Sequence, residues 1–319
     1  MDVLGIDKSV VEKVARILKH QDRSSVPRIN VFDERFYPAR GEDPERVARY
    51  LLVMVAMDHR LSRPGKPYEA CLEDGCYRGA DLLYRLGARK YHEDPEFFSP
   101  VRLSRMKMED VRSWLRVGDL VEPPDVPLRT MLLRDLGVKL QKLYNSSVTE
   151  LINASNSRVR GTLEAPGLVD NLRVFRAYED PVEKKAMLLA KFLVYRGLFN
   201  PTDHIDVAVD NHLTRISLRL GLVMVSGPMW DKIKTGVEFT YEEDVLLRLT
   251  VRRAYMYLSE RSGYSPAEVD DFFWIMGRTV CLRDSQPLCE KCLFKSACKA
   301  RRNTAFMVNE PVYYNTWYY

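Results

Sequence analysis

The stretch GRTVCLRDSQPLCEKCLFKSAC, residues 277–298, decides how we interpret this chain. It contains Cys281, Cys289, Cys292 and Cys298 in the pattern C-x7-C-x2-C-x5-C. Four thiolates that lie so close in sequence can surround one metal centre without ligands from the rest of the protein. Because thiolate is a soft ligand, the candidates for this centre are a zinc ion and an iron–sulfur cluster.

The spacing of the four cysteines favours a [4Fe–4S] cluster, with zinc as the alternative. A zinc ribbon usually has two close C-x2-C pairs separated by a long arm, whereas here Cys289 and Cys292 form the only such pair. The other two cysteines stand wide on either side of that pair. This arrangement suits a bulky cubane better than a single ion.

The composition is that of an ordinary globular protein of one or two domains, with 319 residues, 46% hydrophobic and 29% charged. No run approaches the roughly twenty apolar residues of a membrane span, and the N-terminus lacks the apolar core of a signal peptide. We therefore expect a cytoplasmic protein with no membrane partner. In that compartment Cys71 and Cys76 are expected to be reduced thiols.

Basic residues are concentrated around the cysteines. The formal net charge is +5 and the pI is about 8.8. Such a patch suits contacts with nucleic-acid phosphates, where the release of counterions favours binding, and a solvated helix face is the alternative. The patch consists of Arg283, Lys291, Lys295, Lys299, Arg301 and Arg302.

Glutamine is rare and arginine abundant, which is typical of thermophilic proteins.

Apolar residues recur at helical spacing through almost the whole chain, which predicts an all-α fold. Asp43-Pro44 supplies a cap and a first-turn proline for a buried helix, and Ser265-Pro266-Ala267-Glu268 supplies a capping box for the helix that leads to Cys281. The predicted helices run over residues 10–18, 46–59, 80–86, 108–115, 128–143, 184–196, 211–220, 241–260 and from 266 into the cysteine stretch.

A second constellation lies upstream, where residues 205–216 form the sequence IDVAVDNHLTRI. The apolar run Val207-Ala208-Val209 brings Asp210 to the very start of a helix. A carboxylate there can accept backbone N–H groups, and the helix dipole keeps it ionised. From residue type alone, Asp210 is a helix cap.

The two constellations together resemble the endonuclease III family of DNA glycosylases, in the helix-hairpin-helix superfamily. The pattern Val209-Asp210-x-His212-x-x-Arg215 is similar to the aspartate motif of that family, and residues 274–298 are similar to its cluster loop. Their order and their separation of roughly seventy residues also fit. The resemblance covers about residues 183–302 and extends weakly to the helix over 46–60.

The resemblance implies an all-α, endonuclease III-like two-domain fold, with a helical barrel domain and a [4Fe–4S] cluster domain. The implied divisions are residues 1–43 packing with the cluster domain, the barrel at 44–199, the cluster domain at 200–302 and an aromatic tail at 303–319. The implied function is that of a monomeric, nucleoid-associated DNA N-glycosylase of base-excision repair, with or without AP-lyase activity, acting on a base flipped from double-stranded DNA. Two alternatives remain: a non-catalytic iron–sulfur nucleic-acid-binding protein, and an N-glycosidase acting on free or RNA-derived nucleosides.

The resemblance also assigns roles to individual residues. Asp210 would stabilise the cationic sugar, and Lys191 would form the Schiff base of a lyase, although a surface lysine is the simpler interpretation. The cysteines would hold a structural cluster. The predicted nucleic-acid contacts are His212, Arg215, Arg283, Lys291 and Lys295, with internal packing as the alternative for the first two. The predicted base pocket is Met57, Asp58 and His59, with a plain helix terminus as the alternative.

This sequence departs from the family pattern in three places. The first gap between cysteines has seven residues, where the family usually has six. The glycine-rich hairpin that presents N–H groups to a DNA phosphate is replaced by residues 180–185, DPVEKK, without glycine. The register of the lyase lysine is therefore open: the direct helix match puts Leu188 there, the spacing favours Lys191, and Lys184 or Lys185 remain possible.

Overall fold

The computed structural model describes residues 4–319, which are mostly helical. The helices are α1 Lys8–Lys19, α2 Pro44–Met57, α3 Ala80–Glu93, α4 Pro100–Ser104, α5 Met108–Leu115, α6 Val126–Leu143, α7 Val148–Asn153, α8 Leu168–Leu172, α9 Lys184–Tyr195, α10 Asn211–Leu220, α11 Pro228–Thr235, α12 Tyr241–Ser262, α13 Pro266–Thr279 and α14 Lys299–Arg302. The strands are β1 Leu4–Ile6, β2 Glu69–Leu72, β3 Gly75–Arg78 and β4 Val223–Val225. Among the described residues, no helix is long and apolar enough to cross a membrane.

The predicted helices are all present, and side-chain caps begin α1, α2, α10, α12 and α13. The Asp43 side chain accepts the Arg46 N–H at 2.9 Å, with Pro44 as the first residue of α2. Ser265 and Glu268 form the capping box that opens α13. The all-α prediction needs one correction, because the four strands pair into two antiparallel two-stranded sheets, β1 with β4 and β2 with β3. Strands of three or four residues are too short to produce a clear alternating pattern.

The chain divides into two compact units. The first, here called the cysteine unit, consists of the residues up to Ile29 together with Ile205–Thr316. The second, here called the central unit, consists of Asn30–His204 and Trp317–Tyr319.

In the cysteine unit, α1 packs against α12, and α10 packs against α13. Apolar side chains from these four helices, with others from β4, α11 and the connecting segments, form the core of this unit. Strand β1 pairs with β4 in the register Leu4↔Val225 and Ile6↔Val223. This packing brings the start of α10, which carries Asp210, and the end of α13, which leads to Cys281, into the same unit.

In the central unit, the C-terminal half of α2 is buried on all sides. Every residue from Tyr50 to Met57 is 0% exposed, because α3, α6, α7 and α9 pack around this helix. The apolar sequence of its middle predicts this position, since a helix without a polar face is stable only inside a protein. Tyr178 supports the packing through a hydroxyl that donates to the Leu52 carbonyl at 2.6 Å.

The prediction of reduced thiols at Cys71 and Cys76 is wrong, because the structure joins them in a disulfide. The two residues lie directly opposite each other in the β2–β3 hairpin. A hairpin that turns through two residues, Glu73 and Asp74, brings positions five apart in the sequence together. The pairing therefore follows from strand register, which composition and compartment do not encode.

The aromatic C-terminal tail packs on the body of the protein. Within the cysteine unit, the Phe239 N–H donates to the Val312 carbonyl at 2.7 Å, and the Tyr314 N–H donates to Glu238 at 2.7 Å. Within the central unit, the Trp317 indole N–H donates to the Arg176 carbonyl at 2.8 Å. These contacts give the tail a packing role.

Candidate functional site

Asp210 caps α10, as the sequence predicts. Its carboxylate accepts the Leu213 N–H at 3.0 Å, and its carbonyl accepts the Thr214 hydroxyl at 2.8 Å. The residue is 9% exposed, so most of its surface is covered by the protein. A cap of this kind fixes a negative charge at the positive end of the helix dipole. The proposed catalytic role of Asp210 is a separate claim that stays a prediction.

Arg215 joins the aspartate motif to the cysteine stretch. Its guanidinium is fully buried and donates to the Gly277 carbonyl at 2.8 Å and to the Cys281 carbonyl at 3.1 Å. A third bond, also 2.8 Å long, reaches the Glu310 carboxylate from the C-terminal tail. A fully buried guanidinium with these partners has an internal structural role. This position favours the internal role that the sequence also allowed for Arg215, and its predicted nucleic-acid contact stays a prediction.

His212 lies at the crossing of α10 and α13. Its Nδ1 is 3.1 Å from Arg215 Nη2, and its ring packs edge-on against Trp274 at 6.2 Å between centroids. A Cβ atom at Gly277 would lie 2.9 Å from the His212 Cβ, so a glycine is needed for this close approach. The side chain is partly exposed, and its predicted nucleic-acid contact stays a prediction.

The four cysteines line a single pocket. All four are free and partly exposed. Arg219, itself only 4% exposed, donates to the Leu282 carbonyl at 2.7 Å and lies 3.4 Å from the Cys281 sulfur. Most other lining residues are apolar, including Ile216, Leu220, Met276 and Val280.

This pocket fits a sulfur-ligated group by its donor set. Burial raises the pKa of the Cys292 thiol to about 11 and also raises the pKa of Cys298, so a bound cation would be needed to hold these thiols as thiolates. As the side chains stand in residues 4–319, no group of three or more His, Cys, Asp or Glu could hold a metal ion. The four sulfurs therefore suit a metal centre by their chemistry and by lining one pocket. Their positions do not form a closed coordination shell.

The three predicted phosphate contacts near the cysteines differ in how freely they can bind a ligand. The Arg283 guanidinium is 2.9 Å from the Glu310 carboxylate, and the Lys295 ammonium is 3.6 Å from that of Glu290. Lys291 is exposed and makes no ion pair or hydrogen bond through its side chain within the described chain. Lys291 is therefore the most available of the three for a phosphate.

In the central unit, basic side chains cover the C-terminal end of α2. Arg129, which is 0% exposed, donates to the carbonyls of Met57 and His59 at 2.7 Å each. The Lys185 ammonium nitrogen donates to the Ala56 carbonyl at 2.6 Å. The last carbonyls of a helix lack helical partners, so these side chains satisfy them and oppose the helix dipole.

The same arrangement determines where the predicted base-pocket residues lie. Met57 is 0% and His59 3% exposed, and Lys184 bonds both the carbonyl and the carboxylate of Asp58, at 3.0 and 3.1 Å. The three residues therefore form a helix terminus that is closed by internal partners. Their contact with a flipped base stays a prediction.

Two lysines on α9 are buried, and they differ in how well they suit nucleophilic chemistry. Lys191, the sequence-based choice, is 2% exposed beside the Phe192 ring, so the simpler interpretation as a surface lysine is wrong. Lys185 is 0% exposed, and burial, followed by the charges of Lys184 and Arg129, lowers its pKa well below the ordinary value. A lowered pKa is what a nucleophilic lysine needs. The sequence does not single out Lys185, because the position of the lyase lysine along this helix is open.

The turn before α9 carries its own anion. The Asp180 carboxylate, 1% exposed, accepts the N–H groups of Val182 at 3.0 Å and Lys184 at 2.9 Å. These two amides are therefore already bonded to an internal carboxylate. Glu183 has the left-handed conformation (φ 60°) that glycine adopts at least cost, and Arg160 and Arg173 both pair with its buried side chain.

Comparison with known proteins gives no family assignment. No protein-family model and no curated protein matches the chain. Among solved structures, the chain is similar to a trapped endonuclease III–DNA covalent intermediate, an estranged-adenine complex. The identity is 15%, the TM-score is 0.48, and the alignment covers 93% of this chain and 96% of that chain. These values are too low for the similarity to support an activity or a site residue.

Glu310 is expected to hold the cysteine stretch on α10. Replacing Glu310 with alanine leaves the buried Arg215 guanidinium without its carboxylate and should lower the free energy of unfolding by about 3–5 kcal/mol. Chemical denaturation measures this change. The matched control is Glu290→Ala, since the Glu290 side chain is 72% exposed in its pair with Arg301 and should contribute about 0–1 kcal/mol. Equal effects of the two substitutions would contradict the role given to Glu310.

The stability of the protein should fall in mild acid because of His59. Burial, followed by Arg129 and Lys185, lowers the pKa of His59 well below 6.5, so below that pH the unfolded chain binds a proton that the folded protein does not. The free energy of unfolding should then fall by up to about 1.4 kcal/mol per pH unit, until the pH reaches the folded pKa. His59→Gln should remove this contribution and the exposed His20→Gln should not, as measured by denaturation between pH 7 and the folded pKa. An unchanged pH slope in His59→Gln would contradict the assignment.

Proposed function

We propose that this protein is a DNA N-glycosylase that releases a damaged or mismatched base flipped from duplex DNA. The observation that supports this most is the link made by Arg215, which bonds the helix that Asp210 caps to the backbone of Gly277 and Cys281. Two motifs that lie about seventy residues apart in the sequence thus share one buried contact. Each motif alone has a simple structural interpretation, and this contact joins the two motifs in one unit.

Asp210 would act on the sugar of the flipped nucleotide. When the bond between base and sugar breaks, the base leaves with the bonding electrons and the sugar carbon becomes positively charged. A carboxylate fixed at a helix start stabilises that cation, and it can take a proton from the water that adds to the carbon. The helix cap holds the Asp210 carboxylate in one position, which reduces the cost of reorganising it during the reaction.

The cysteines would hold a [4Fe–4S] cluster, with a zinc ion as the alternative metal centre. When bound, such a group would act as a structural cross-link between the end of α13 and the segment before α14. The chain's own contribution is to place Lys291 in the loop that this link closes. We propose Lys291 as the first phosphate contact, supported by its exposure and by the absence of an internal partner among residues 4–319.

The turn before α9 is not part of the proposed DNA contact, because Asp180 already accepts two of its amides. If the protein also has lyase activity, Lys185 is a better candidate than Lys191, since a lowered pKa favours the neutral amine.

The turn before α9, whose amides Asp180 already occupies, is the observation that favours a second function. An enzyme that acts on free or RNA-derived nucleosides, or a non-catalytic binding protein, has no need of a phosphate-gripping hairpin.

Asp210→Asn should abolish base release while leaving the fold intact. Asparagine caps a helix as well as aspartate does, but it carries no negative charge. We expect single-turnover release from lesion-containing duplexes to fall by about 100-fold or more, with an unchanged melting temperature. Asp7→Asn is the matched control, because Asp7 caps α1 in the same unit by accepting the Val10 N–H at 3.1 Å.

The assay should cover oxidised, deaminated, alkylated and mismatched bases in duplex DNA, and free nucleosides in parallel. Equal activity of Asp210→Asn and the wild type would remove Asp210 from the reaction. Duplex binding without release of any base would favour the binding protein. Release from nucleosides alone would favour the third function.

The metal content of the purified protein tests the cluster. Protein purified without oxygen should contain iron and acid-labile sulfide in equal amounts, at about four of each per chain, with a brown colour. Cys292→Ser should lose both, whereas Cys71→Ser, which breaks the hairpin disulfide, should keep both. A colourless wild type that contains about one zinc per chain would replace the cluster with zinc.

A further inference from the structure

The central unit contains a cavity that the proposed reaction does not use. Its volume is about 320 Å³, which is in the lower range of small-molecule sites, about 300–1,000 Å³. It lies between the start of α2 and the end of α9, and its lining includes Phe32, Arg40, Glu42, Pro44, Arg196 and Leu198.

Two guanidinium groups in this cavity stack on one aromatic ring. The guanidinium carbon of Arg40 is 3.8 Å from the centre of the Phe32 ring, and that of Arg196 is 4.6 Å from it. Stacking orients the planar donors of arginine, so that less freedom is lost when they bind a ligand.

The orientation of Arg196 is further fixed by the backbone. Its Nη1 donates to the carbonyls of Val31 at 3.1 Å and Pro38 at 2.8 Å, and its Nη2 donates to that of Ala39 at 2.9 Å. These three partners are neutral, so they hold the side chain in place without neutralising its charge.

The lining of the cavity has an excess of positive charge. Within residues 4–319, Arg40 makes no hydrogen bond or ion pair. Glu42 is the one carboxylate among the lining residues, and it accepts the Tyr91 hydroxyl at 3.2 Å. Two guanidinium groups against one carboxylate favour an anionic ligand, and arginine binds phosphate with charge-assisted, often bidentate, hydrogen bonds.

We propose that this cavity binds a nucleoside 5′-phosphate, either free or at the 5′ end of a nucleic-acid strand. Arg40 and Arg196 bind the phosphate. Glu42 accepts a hydrogen bond from a sugar hydroxyl or a base amino group, since an ionised carboxylate is an acceptor only. Pro44 and Leu198 provide apolar contact for the base. This site is independent of the proposed glycosylase reaction, because none of its residues takes part in that reaction.

Calorimetric titration of the full-length protein tests this proposal. Deoxyadenosine 5′-monophosphate should bind, unphosphorylated deoxyadenosine should not, and inorganic phosphate should bind at least about tenfold more weakly than the nucleotide. Arg40→Gln should weaken nucleotide binding by about tenfold or more, since the charge-assisted hydrogen bonds from this guanidinium to the phosphate are lost. Arg40 is exposed and makes no polar contact within the described residues, so the variant should fold normally.

The matched control is Arg35→Gln, because Arg35 also stacks on a phenylalanine, Phe36, but lies outside the cavity and pairs with Asp33. Nucleotide binding should be unchanged in this variant. Tighter binding of a 5′-phosphorylated oligonucleotide than of the mononucleotide would identify the strand end as the ligand, and the reverse order would identify the free nucleotide.

Three results would overturn the proposal: no nucleotide binding by the wild type, equal binding by Arg40→Gln, or inorganic phosphate binding as tightly as the nucleotide. None of these results depends on base release. Failure of this site is therefore distinguishable from failure of the glycosylase function.

Discussion

The buried guanidinium of Arg215 is the interaction on which the cysteine unit depends. It bonds the backbone at Gly277 and Cys281, and it pairs with Glu310 from the C-terminal tail. A buried charge is costly unless it is paired and its donors are bonded. In the structure, α10, the cysteine stretch and the tail together satisfy these donors. Loss of any one partner would leave part of a buried charge unpaired, so the contact ties the three segments to each other.

Buried basic side chains also organise the central unit, where they cover the end of α2. The part of this helix from Tyr50 to Met57 is apolar all round and fully buried, but its terminal carbonyls remain polar. Arg129, Lys184 and Lys185 satisfy these carbonyls from α6 and α9. One consequence is the perturbed pKa of both Lys185 and His59. Perturbed groups of this kind occur in structural networks as well as in active sites, and here their helix-capping contacts give a sufficient structural reason.

The features that the sequence predicts are those determined by neighbouring residues. The caps at Asp43, Asp210 and Ser265 each involve residues within a few positions, and all three are present. The disulfide between Cys71 and Cys76 depends on strand register, and the partner of Arg215 lies 95 residues away in the tail. The difference between Lys185 and Lys191 depends on which helices surround α9. Long-range packing decides the last two features, and no local pattern encodes it. The disulfide is a local pairing, but it forms only in one register of the β2–β3 hairpin.

The conformation of Glu183 restricts how the turn before α9 can evolve. A left-handed backbone at a residue other than glycine costs about 1–3 kcal/mol, so a change to glycine would relieve torsional strain. The same change would remove the shared carboxylate of Arg160 and Arg173, and Asp180 would still occupy the amides. A glycine turn that is open to an external anion therefore requires several coordinated substitutions, because each intermediate sequence would lose an ion pair or leave an amide without an acceptor. Opening this turn to an external anion would therefore require replacing both Asp180, which holds the amides, and Glu183, which pairs with two arginines.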